Sequence, residues 1–327
     1  MSDVYGLPTL SGLTLARAVV PRAGEQRTDP AWFEKAWADP ASKVIVVGAA
    51  QALVRTDEAG VRLELHEPAA ALAIGELAIG ELAIGELAGA AAERILLGTD
   101  EFGTVFLGLL LPNTPTNADG VEALDLRQVG ALLDDRDAGL LVHAVALWHW
   151  HTTHQFCPRC GSRTRTSNGG HVRTCELDGS EHYPRSDPAV IVLVESADGR
   201  CLLGRQKRWP PKRYSCFAGF VEPGESAEQA LARELGEEAG ITISAFAYRG
   251  SQPWPFPRSL MLGYRALAAS TDARPDGHEI EELGWYSREE LSAAIAAGDV
   301  LLPPGVSIAR RLVEDWFGAE LPDGPSW

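Results

Sequence analysis

Short apolar runs and helix-like spacing alternate along the first 150 residues. The segments SKVIVVGAAQALVR (42–55) and TVFLGLLLP (104–112) have the bounded apolar runs of buried strands, and a turn follows the first of them. The segment 122–153 carries apolar residues at a spacing suited to one or two helices. We therefore predict an N-terminal α/β domain over residues 1–150.

The pattern after residue 186 mixes strands and helices again. DPAVIVLVESADGRCLLGRQ (187–206) predicts a strand, an Asp-Gly turn and a second strand, and LMLGYRALAAS (260–270) predicts a further strand. The segment from Glu225 to Gly240 has a helical apolar stripe with a glycine stop, and two helical patterns close the chain. Residues 187–327 are thus predicted to form a second α/β domain.

A low-complexity run interrupts the first domain. The pentapeptide LAIGE occurs three times in residues 72–86, and its five-residue period matches neither a helix nor a strand. Regularly spaced glycines weaken a helix. We interpret the run as an expansion in a surface loop, helical in part, without a functional role.

Composition and charge exclude several classes of protein. No stretch reaches about 18 uninterrupted apolar residues, so no membrane-spanning helix is expected. The start of the chain lacks the basic and apolar regions of a signal peptide, which predicts a cytoplasmic location. The formal net charge of −16 argues against a broad nucleic-acid-binding surface, although a small anion can still bind together with divalent cations.

The cysteines indicate a metal site between the two domains. Residues 154–186 are poor in apolar side chains, and FCPRCG places Cys157 and Cys160 as C-x-x-C, with Cys175 further on. This is the layout of a zinc ribbon, with thiolates sharing a tetrahedral ion. The second knuckle has one cysteine only, so the fourth ligand is open between His182, Asp178 and Glu181, of which we favour His182. A redox pair and a site that has lost its metal are the alternatives, whereas Cys201 and Cys216 are predicted core thiols.

Five glutamates follow the Pro223-Gly224 turn in the segment GFVEPGESAEQALARELGEEAGI (219–241). Like charges this close need either open water or a bound cation. On a helix Glu234 and Glu238 lie one turn apart on the same face, with Glu237 beside them, and Arg233 can reach back to Glu225. A solvated acidic helix face is the simpler interpretation, and the order of the residues decides against it.

The segment resembles the Nudix box of the Nudix hydrolase family. The pattern from Gly219 through Glu225 and the run Arg233-Glu234-Leu235 to Ile241 agrees with every defined position of that box. The resemblance implies an α/β/α sandwich with a mixed sheet, Mg²⁺ or Mn²⁺ bound by box glutamates, and hydrolysis of a nucleoside diphosphate linked to another group. Clustered divalent ions suit this chemistry because they neutralise a pyrophosphate and lower the pKa of the attacking water.

A proline-aromatic segment narrows the resemblance. In SQPWPFPRS (251–259) three prolines alternate with two aromatic residues, which predicts a stiff extended strip rather than a central strand. This array, the ribbon upstream, HYPRSDPAVIVLV (182–194) and LLPPGVSIARRL (301–312) resemble the NADH pyrophosphatase branch, whose members also remove NAD caps from RNA. In that branch the ribbon supports a homodimer.

The resemblance assigns roles to matching positions. It implies that Glu234 and Glu238 bind the catalytic metals, that Glu237 shares this work or acts as base, and that Glu279 and the Ala218 carbonyl are further ligands. The implied substrate contacts are Tyr183, Phe220, Gln252, Pro253, Trp254, Pro255, Phe256, Pro257, Arg258, Ser259 and Ala309.

The sequence thus leads to one expected function and two alternatives. We expect hydrolysis of the pyrophosphate of NAD(H) to AMP and nicotinamide mononucleotide, together with removal of NAD caps from RNA. A broad-specificity Nudix hydrolase of ADP-ribose or dinucleoside polyphosphates is one alternative. A non-catalytic NAD-binding regulator is the other, and the intact box argues against it.

Overall fold

Two mixed β-sheets and a small three-stranded sheet organise the part of the chain that the structure describes, residues 8–80, 92–114 and 120–322. The structure is a computed structural model. The chain divides into an N-terminal unit, Arg17–Ser186 with Pro255–Arg258, and a C-terminal unit that holds the remaining residues. Within the described residues, no helix has the length and apolar character needed to cross a bilayer.

The N-terminal unit combines a six-stranded sheet with four helices. In chain order its elements before the ribbon are α1 (Pro30–Ala38), β1 (Lys43–Gly48), β2 (Gln51–Asp57), β3 (Gly60–Leu63), α2 (Pro68–Gly80), β4 (Glu93–Thr99), β5 (Val105–Leu111), β6 (Val121–Asp125), α3 (Leu126–Val129) and α4 (Asp135–Thr153). The strand order is β3-β2-β1-β5-β4, with β6 paired to β2. The strands predicted at 42–55 and 104–112 are confirmed, and β1 and β5 lie parallel at its centre.

The segment 122–153 differs from its prediction at its start. Its first residues form β6, which pairs antiparallel with β2. Asp125 then caps α3 through a capping box with Gln128, and α4 follows. The helical prediction is therefore wrong for Glu122–Asp125 and confirmed for the two helices after it, because cross-strand pairing outweighs a local apolar pattern there.

The described part of the LAIGE run is helical. Residues 72–80 belong to α2, which confirms that the run is helical in part and corrects the expectation of a loop for these residues, and residues 81–86 lie outside the described residues. The helix turns its small residues inward: Ala71 and Ala78 are buried, and a Cβ on Gly75 would stand 2.9 Å from Cδ2 of Leu109 in β5. Gly75 weakens the helix, but the absence of a side chain lets α2 pack closely against β5.

Residues 154–186 form a small sheet, as expected of a ribbon. Its strands are β7 (Thr164–Ser167), β8 (Val172–Cys175) and β9 (Glu181–His182), in the order β7-β8-β9. Arg173 on β8 is buried and donates to Glu93 of β4 at 2.9 Å. The ribbon is therefore joined to the sheet of the N-terminal unit through a partly buried ion pair.

The C-terminal unit is a sheet covered by helices. Its elements are β10 (Asp187–Glu195), β11 (Cys201–Gln206), β12 (Phe217–Phe220), α5 (Ala227–Ala239), β13 (Ile243–Trp254), β14 (Ser259–Ala268), β15 (Ile280–Tyr286), α6 (Arg288–Ala296) and α7 (Ile308–Phe317). The order is β13-β14-β10-β11-β15, with β12 paired to β10, and only β10 and β14 run parallel. The predicted hairpin at 187–206 and strand at 260–270 are confirmed.

Both faces of this sheet are buried, which explains the continuous apolar run of β10. Ile191 and Leu193 face a core shared with α6 and α7. Val190, Val192 and Val194 face the other core, shared with α5. The predicted α/β/α sandwich with a mixed sheet is thus confirmed, and the buried Cys201 and Cys216 are core thiols.

The start of the described chain packs on the C-terminal unit instead of the N-terminal one. Leu13 lies in the core beside α7, and the Leu10 amide donates to the Arg249 carbonyl at 2.6 Å. The Arg249 guanidinium donates to the Pro8 carbonyl. The predicted boundary at 1–150 therefore differs from the compact units, which place residues up to Ala16 with the C-terminal sandwich.

Candidate functional site

A strand, a turn and a capped helix place the box glutamates. β12 ends at Phe220, and a turn follows. The Ser226 side chain caps α5 by accepting from the Gln229 amide, and the Gln229 side chain accepts from the Ser226 amide. The helix stops at Gly240, whose φ of 63° is the left-handed conformation that glycine adopts without strain. The predicted helix and its stop are confirmed, so the glutamates occupy fixed positions along α5.

Gly219 allows the helix to approach β12 closely. A Cβ at this position would stand 1.9 Å from the carboxyl carbon of Glu234. Only a residue without a side chain leaves room for that carboxylate, which explains why glycine opens the motif.

Arg233 is the countercharge of the box. Its guanidinium donates to Glu225 at 2.9 and 3.0 Å, to Glu234 at 2.8 Å and to Glu237 at 3.1 Å. It also donates to the Phe220 carbonyl at 2.9 Å. The predicted contact between Arg233 and Glu225 is confirmed, and it fixes the turn against the helix.

Glu238 is a buried carboxyl group with an unsatisfied oxygen. Its side chain is 3% exposed, and Oε2 has no hydrogen-bond partner in the described residues. Burial raises the pKa of Glu238 to about 8, the charges of Glu279, Glu234 and Asp276 act in the same direction, and a backbone hydrogen bond from Ala218 opposes them. An unpartnered carboxylate among like charges is a costly arrangement unless a cation joins it.

Glu234 and Glu279 complete the acidic surface. Burial is the main reason that the pKa of Glu234 is raised, with Arg233 opposing and Glu237 and Glu279 adding to the rise. Glu279 lies before β15, and its Oε1 accepts from Gln206 at 3.1 Å. The sequence analysis places Glu279 here and misses both Gln206 and Asp276, whose carboxylate accepts three amides of the same loop. The Asp-Gly pair at 276–277 signals that turn.

The donor set fits hard divalent cations, although its oxygens are not gathered around one point. Of the described His, Cys, Asp and Glu residues, only a group in the ribbon has its ligand atoms all within 4.8 Å of one another. In the box, Arg233 holds Glu234 and Glu237, which leaves Glu238 Oε2 as the buried oxygen without a partner. Carboxylate oxygens in this number suit Mg²⁺ or Mn²⁺, and Glu234, Glu238 and Glu279 would hold them.

The ribbon contains two knuckles of the same geometry. In the first, Gly161 donates its amide to the Cys157 carbonyl at 2.9 Å, and Cys157 donates to the Ser162 carbonyl at 2.8 Å. In the second, Gly179 donates to the Cys175 carbonyl at 3.1 Å, and Cys175 donates to the Ser180 carbonyl at 2.8 Å. The segment CELDG thus repeats the backbone of CPRCG, with Asp178 at the place of the second cysteine.

Asp178, and not His182, stands with the three thiols. The ligand atoms of Cys157, Cys160, Cys175 and Asp178 all lie within 4.8 Å of one another. His182 lies outside this group, and its Nε2 is 3.3 Å from Oγ of Ser180. The sequence already contains the signal, C-x-x-D-G after C-x-x-C-G, which a search for cysteine and histidine ligands overlooks.

Hydrogen bonds from Ser180 prepare Asp178 as an anion. The Ser180 hydroxyl and amide donate to the Asp178 carboxylate at 2.6 and 2.9 Å, and these bonds lower its pKa to about 2. A permanently ionised oxygen beside three thiols is a chemically sound fourth zinc ligand.

Two of the predicted substrate contacts have structural roles instead. Gln252 is fully buried, accepts from the Leu15 amide at 3.2 Å and donates to the Val306 carbonyl at 3.0 Å. Ala309 is 2% exposed and lies in the core beside α7. The geometry therefore does not support direct substrate contacts through these two side chains.

The proline-aromatic segment forms the end of a hairpin. Ser251–Trp254 close the edge strand β13, Pro253 pairs with Leu260 of β14, and 255–258 form the turn before Ser259. An extended segment outside the centre of a sheet agrees with the prediction, because an edge strand tolerates proline. Within the N-terminal unit the Arg127 guanidinium covers the Phe256 ring at 4.3 Å.

Two other predicted contacts are exposed aromatic rings. Phe220, beside the box, is 57% exposed, and Tyr183 is 63% exposed. The Tyr183 hydroxyl donates to Glu181 at 2.7 Å, which leaves its ring face accessible. Both rings are available for stacking on a flat ligand.

Comparison with known proteins agrees with these sites. Three family models match the chain: the NADH pyrophosphatase-like rudimentary NUDIX domain at residues 41–150, the NADH pyrophosphatase zinc ribbon domain at 152–183 and the NUDIX domain at 185–308. A crystal structure of a NUDIX hydrolase from Nitrosomonas europaea aligns with a TM-score of 0.39 and 23% identity, over 51% of this chain and 94% of that one.

Two similar proteins are named for the same activity. The NAD-capped RNA hydrolase NudC of Mycobacterium tuberculosis (strain ATCC 25618 / H37Rv) is 44% identical over 209 residues, 61% of this chain and 66% of that protein. The NAD-capped RNA hydrolase NUDT12 of Homo sapiens is 42% identical over 197 residues, 57% of this chain and 43% of that protein. The matched part thus spans about two thirds or less of these relatives. The chain belongs to the Nudix superfamily, in the NADH pyrophosphatase branch, where a rudimentary Nudix domain, a zinc ribbon and a Nudix domain follow one another.

Proposed function

We propose that the protein hydrolyses the pyrophosphate of NAD(H), giving AMP and nicotinamide mononucleotide. The observation that carries the proposal is Glu238, a carboxyl group buried among other carboxylates with one oxygen unpartnered in the described residues. Divalent cations bound here would neutralise the pyrophosphate and lower the pKa of the attacking water.

The side chains around Glu238 divide the work of the reaction. Glu234, Glu238 and Glu279 would hold Mg²⁺ or Mn²⁺, with the Ala218 carbonyl as a further ligand. Glu237 has a side chain that is 62% exposed, so it can reach a water molecule and accept its proton. Arg233 keeps Glu225, Glu234 and Glu237 in register, and the exposed Phe220 ring offers a stacking face to the nicotinamide.

NAD-capped RNA is the second proposed substrate, because both relatives carry that activity in their names. The same attack on phosphorus would release nicotinamide mononucleotide and leave a 5′-monophosphate on the RNA. The net charge of −16 disfavours a long RNA contact, so the cap and the first nucleotides should dominate recognition.

The ribbon is proposed to hold one structural zinc ion and to support a homodimer. Cys157, Cys160, Cys175 and Asp178 are the proposed ligands. Exposed apolar side chains on the ribbon, Phe156 at 55% and Leu177 at 72%, favour a covered surface. Light scattering coupled to size-exclusion chromatography measures the molar mass of the protein in solution. The mass of a monomer at micromolar concentration would contradict the proposed dimer.

The central experiment incubates the protein with NADH and either Mg²⁺ or Mn²⁺ and resolves the products by mass. We expect AMP and reduced nicotinamide mononucleotide in the presence of metal only. Glu238→Gln should remove turnover, whereas Glu228→Gln, an exposed glutamate of the same helix, should retain it. ADP-ribose and diadenosine polyphosphates, tested at the same metal concentration, measure substrate specificity. Equal rates on all of these substrates and on NADH would contradict the assignment to NAD(H).

A further inference from the structure

Glu279 belongs to an exposed loop, whereas the other glutamates of the site lie on α5. The loop joins β14 to β15, and Glu279 is the exposed residue immediately before β15. Burial first, and then the charge of Glu279, raises the pKa of Glu238, so these two carboxylates belong to one electrostatic site. A ligand on a loop loses conformational entropy when it binds a metal, unless the loop is already ordered.

Asp276 holds the backbone of this loop. Its Oδ1 accepts three consecutive amides, those of His278 at 3.2 Å, Glu279 at 3.1 Å and Ile280 at 2.8 Å. Its Oδ2 accepts from the Glu279 amide as well, at 3.1 Å. The Gly277 amide closes the loop by donating to the Ile280 carbonyl at 3.0 Å. Both oxygens of Asp276 are thus engaged by the backbone, so Asp276 acts on the loop that carries Glu279.

A β-bulge follows the same loop where β15 begins. Along β11 and β15, Arg205 pairs with Glu282 and the next pair is Gln206 with Ile280, so Glu281 is the extra residue on β15. The buried Arg205 guanidinium donates to Glu282 at 2.9 Å and also to Glu281. These bonds fix the bulge, and bulges beside functional sites re-aim the side chains next to them.

Gln206 on β11 holds the carboxylate of Glu279. Its Nε2 donates to Glu279 Oε1 at 3.1 Å, while its own Oε1 accepts from Arg208 Nε at 2.8 Å. A guanidinium can only donate, so Arg208 determines which end of the Gln206 amide faces Glu279. The Lys207 amide donates to the Glu279 carbonyl at 3.0 Å. The backbone and the side chain of Glu279 are therefore both held by hydrogen bonds.

We propose that Asp276 and Gln206 are positioning residues for metal binding, Asp276 by ordering the loop and Gln206 by orienting the Glu279 carboxylate. The inference rests on the proposed function, in which Glu279 is a metal ligand. Hydrogen-bonded partners of ligating carboxylates typically contribute about 10- to 100-fold to metal affinity, because the ligand is ordered before the metal arrives.

Binding of Mn²⁺ to the full chain, measured by electron paramagnetic resonance without substrate, tests the role of Asp276. Asp276→Ala should weaken binding about tenfold, because three amides lose their acceptor. Asp276→Asn should stay within about threefold of the parent, since its Oδ1 can accept the same amides without the charge. Asp272→Ala, at an exposed aspartate of the same loop, is the matched control and should bind as the parent does. Equal losses in Asp276→Ala and Asp276→Asn would assign the effect to charge and overturn the proposal.

Glu279→Gln distinguishes positioning from a general effect on the fold. Asp276→Ala and Gln206→Leu should each weaken Mn²⁺ binding in the parent, and each should change it little in a chain that already carries Glu279→Gln. Losses of the same size in both backgrounds would refute the proposal. Thermal unfolding without metal identifies a variant that fails to fold. Gln206→Leu keeps the loop backbone bonded to Asp276, so it provides the test if Asp276→Ala does not fold.

Turnover of NADH over a range of Mn²⁺ concentrations separates this proposal from the hydrolase. The Mn²⁺ concentration that gives half-maximal turnover should rise in Asp276→Ala by the same factor as the dissociation constant. Mn²⁺ binding that depends on Asp276 and Gln206, in a parent that leaves NADH intact, would contradict the hydrolase alone. Hydrolysis of NADH by the parent, with Mn²⁺ binding unchanged in Asp276→Ala and Gln206→Leu, would contradict the positioning alone.

Discussion

At the scale of single residues, Glu238 lowers the stability of the folded protein when it is ionised, and it is also a proposed metal ligand. Its pKa is raised to about 8 from an ordinary value of 4.5, so the folded protein binds this proton more tightly than the unfolded chain does. The stabilisation is therefore complete below the unfolded pKa and is lost as the pH rises through about 8. Functional carboxylates commonly carry such a cost.

Glu238→Gln removes this titration. Without added Mg²⁺ or Mn²⁺, the variant should gain stability over the parent between about pH 5 and pH 9, reaching about 1–3 kcal/mol at the upper end. Thermal unfolding across that range measures the difference while turnover is lost. A difference that stays constant with pH would show that the Glu238 carboxyl does not titrate as described.

Asp178 makes a second prediction at this scale. Asp178→Ala should lower the zinc content per chain and the thermal stability, because the tetrahedral site loses a ligand. Asp178→Cys should retain zinc and resist a chelator better than the parent. His182→Ala is the control, and metal analysis by mass spectrometry should find its zinc unchanged. Zinc lost from the His182 variant alone would restore the histidine as the ligand.

The residue scale also shows what a sequence can predict about a site. The order of glutamates around Arg233 predicts the charged cluster, because helical spacing and charge are local properties. The sequence cannot show the direction of a side chain, and the expectation that Gln252 and Ala309 contact a ligand takes no account of their burial. The family resemblance identifies the segments that contribute to the site. Tertiary packing decides which of their side chains are accessible to a ligand.

At the scale of elements, the turn between β1 and β2 carries strain. Ala49 and Ala50 have φ angles of 49° and 61°, as both central residues of a type I′ hairpin turn do. Side chains with a Cβ pay a steric cost in this region, which asparagine and glycine largely avoid. The sequence pattern predicts the turn, and its two alanines do not reveal the backbone conformation.

Ala50→Gly should therefore stabilise the N-terminal unit by about 0.5–1 kcal/mol, the relief of strain less the added freedom of the unfolded chain. Ala293→Gly, at an exposed position inside α6, should destabilise by about 1 kcal/mol, because that alanine is already helical. Chemical denaturation measures both changes. A destabilising Ala50→Gly would mean that the turn is not strained.

The strand β10 shows how much of an element a sequence can predict. Its continuous apolar run predicts a strand, and the alternation of its side chains between two cores explains why that run is unbroken. β6 shows the limit, because Glu122–Asp125 become a strand only through pairing with β2, which lies far away in sequence. The local apolar pattern is enough to predict a strand that is buried on both faces. It fails for a segment that becomes a strand only by pairing with a strand distant in sequence.

At the scale of the whole molecule, the two sheets share a plan. In each, a helix precedes an antiparallel hairpin, α2 before β4–β5 and α5 before β13–β14, and the second strand of that hairpin lies parallel to the first strand of its sheet. Residues 72–80 of the LAIGE run, in α2, thus occupy the position of the Nudix helix in the rudimentary domain. The described part of α2 lacks the Arg-Glu and Glu-Glu pairs of α5.

The residues before Ala16 provide a prediction at this scale. Leu13→Ala removes a buried side chain from the core beside α7 and should destabilise the C-terminal unit by about 2–4 kcal/mol. Leu132→Ala, which is 61% exposed, is the control and should change stability little. The temperature at which NADH turnover is lost measures the effect. An unaltered inactivation temperature in Leu13→Ala would exclude a contribution of the leading segment to this core.

The hydrogen bond between the Leu15 amide and the Gln252 side chain has a consequence for the order in which the chain folds during synthesis. Residues 8–16 leave the ribosome long before their partners on β13 and near α7 are made. The N-terminal unit can mature in between, while the leading segment waits with Leu13 exposed. This segment is therefore open to proteases and aggregation until β13 and α7 have been synthesised and folded, which makes its docking a late step of folding.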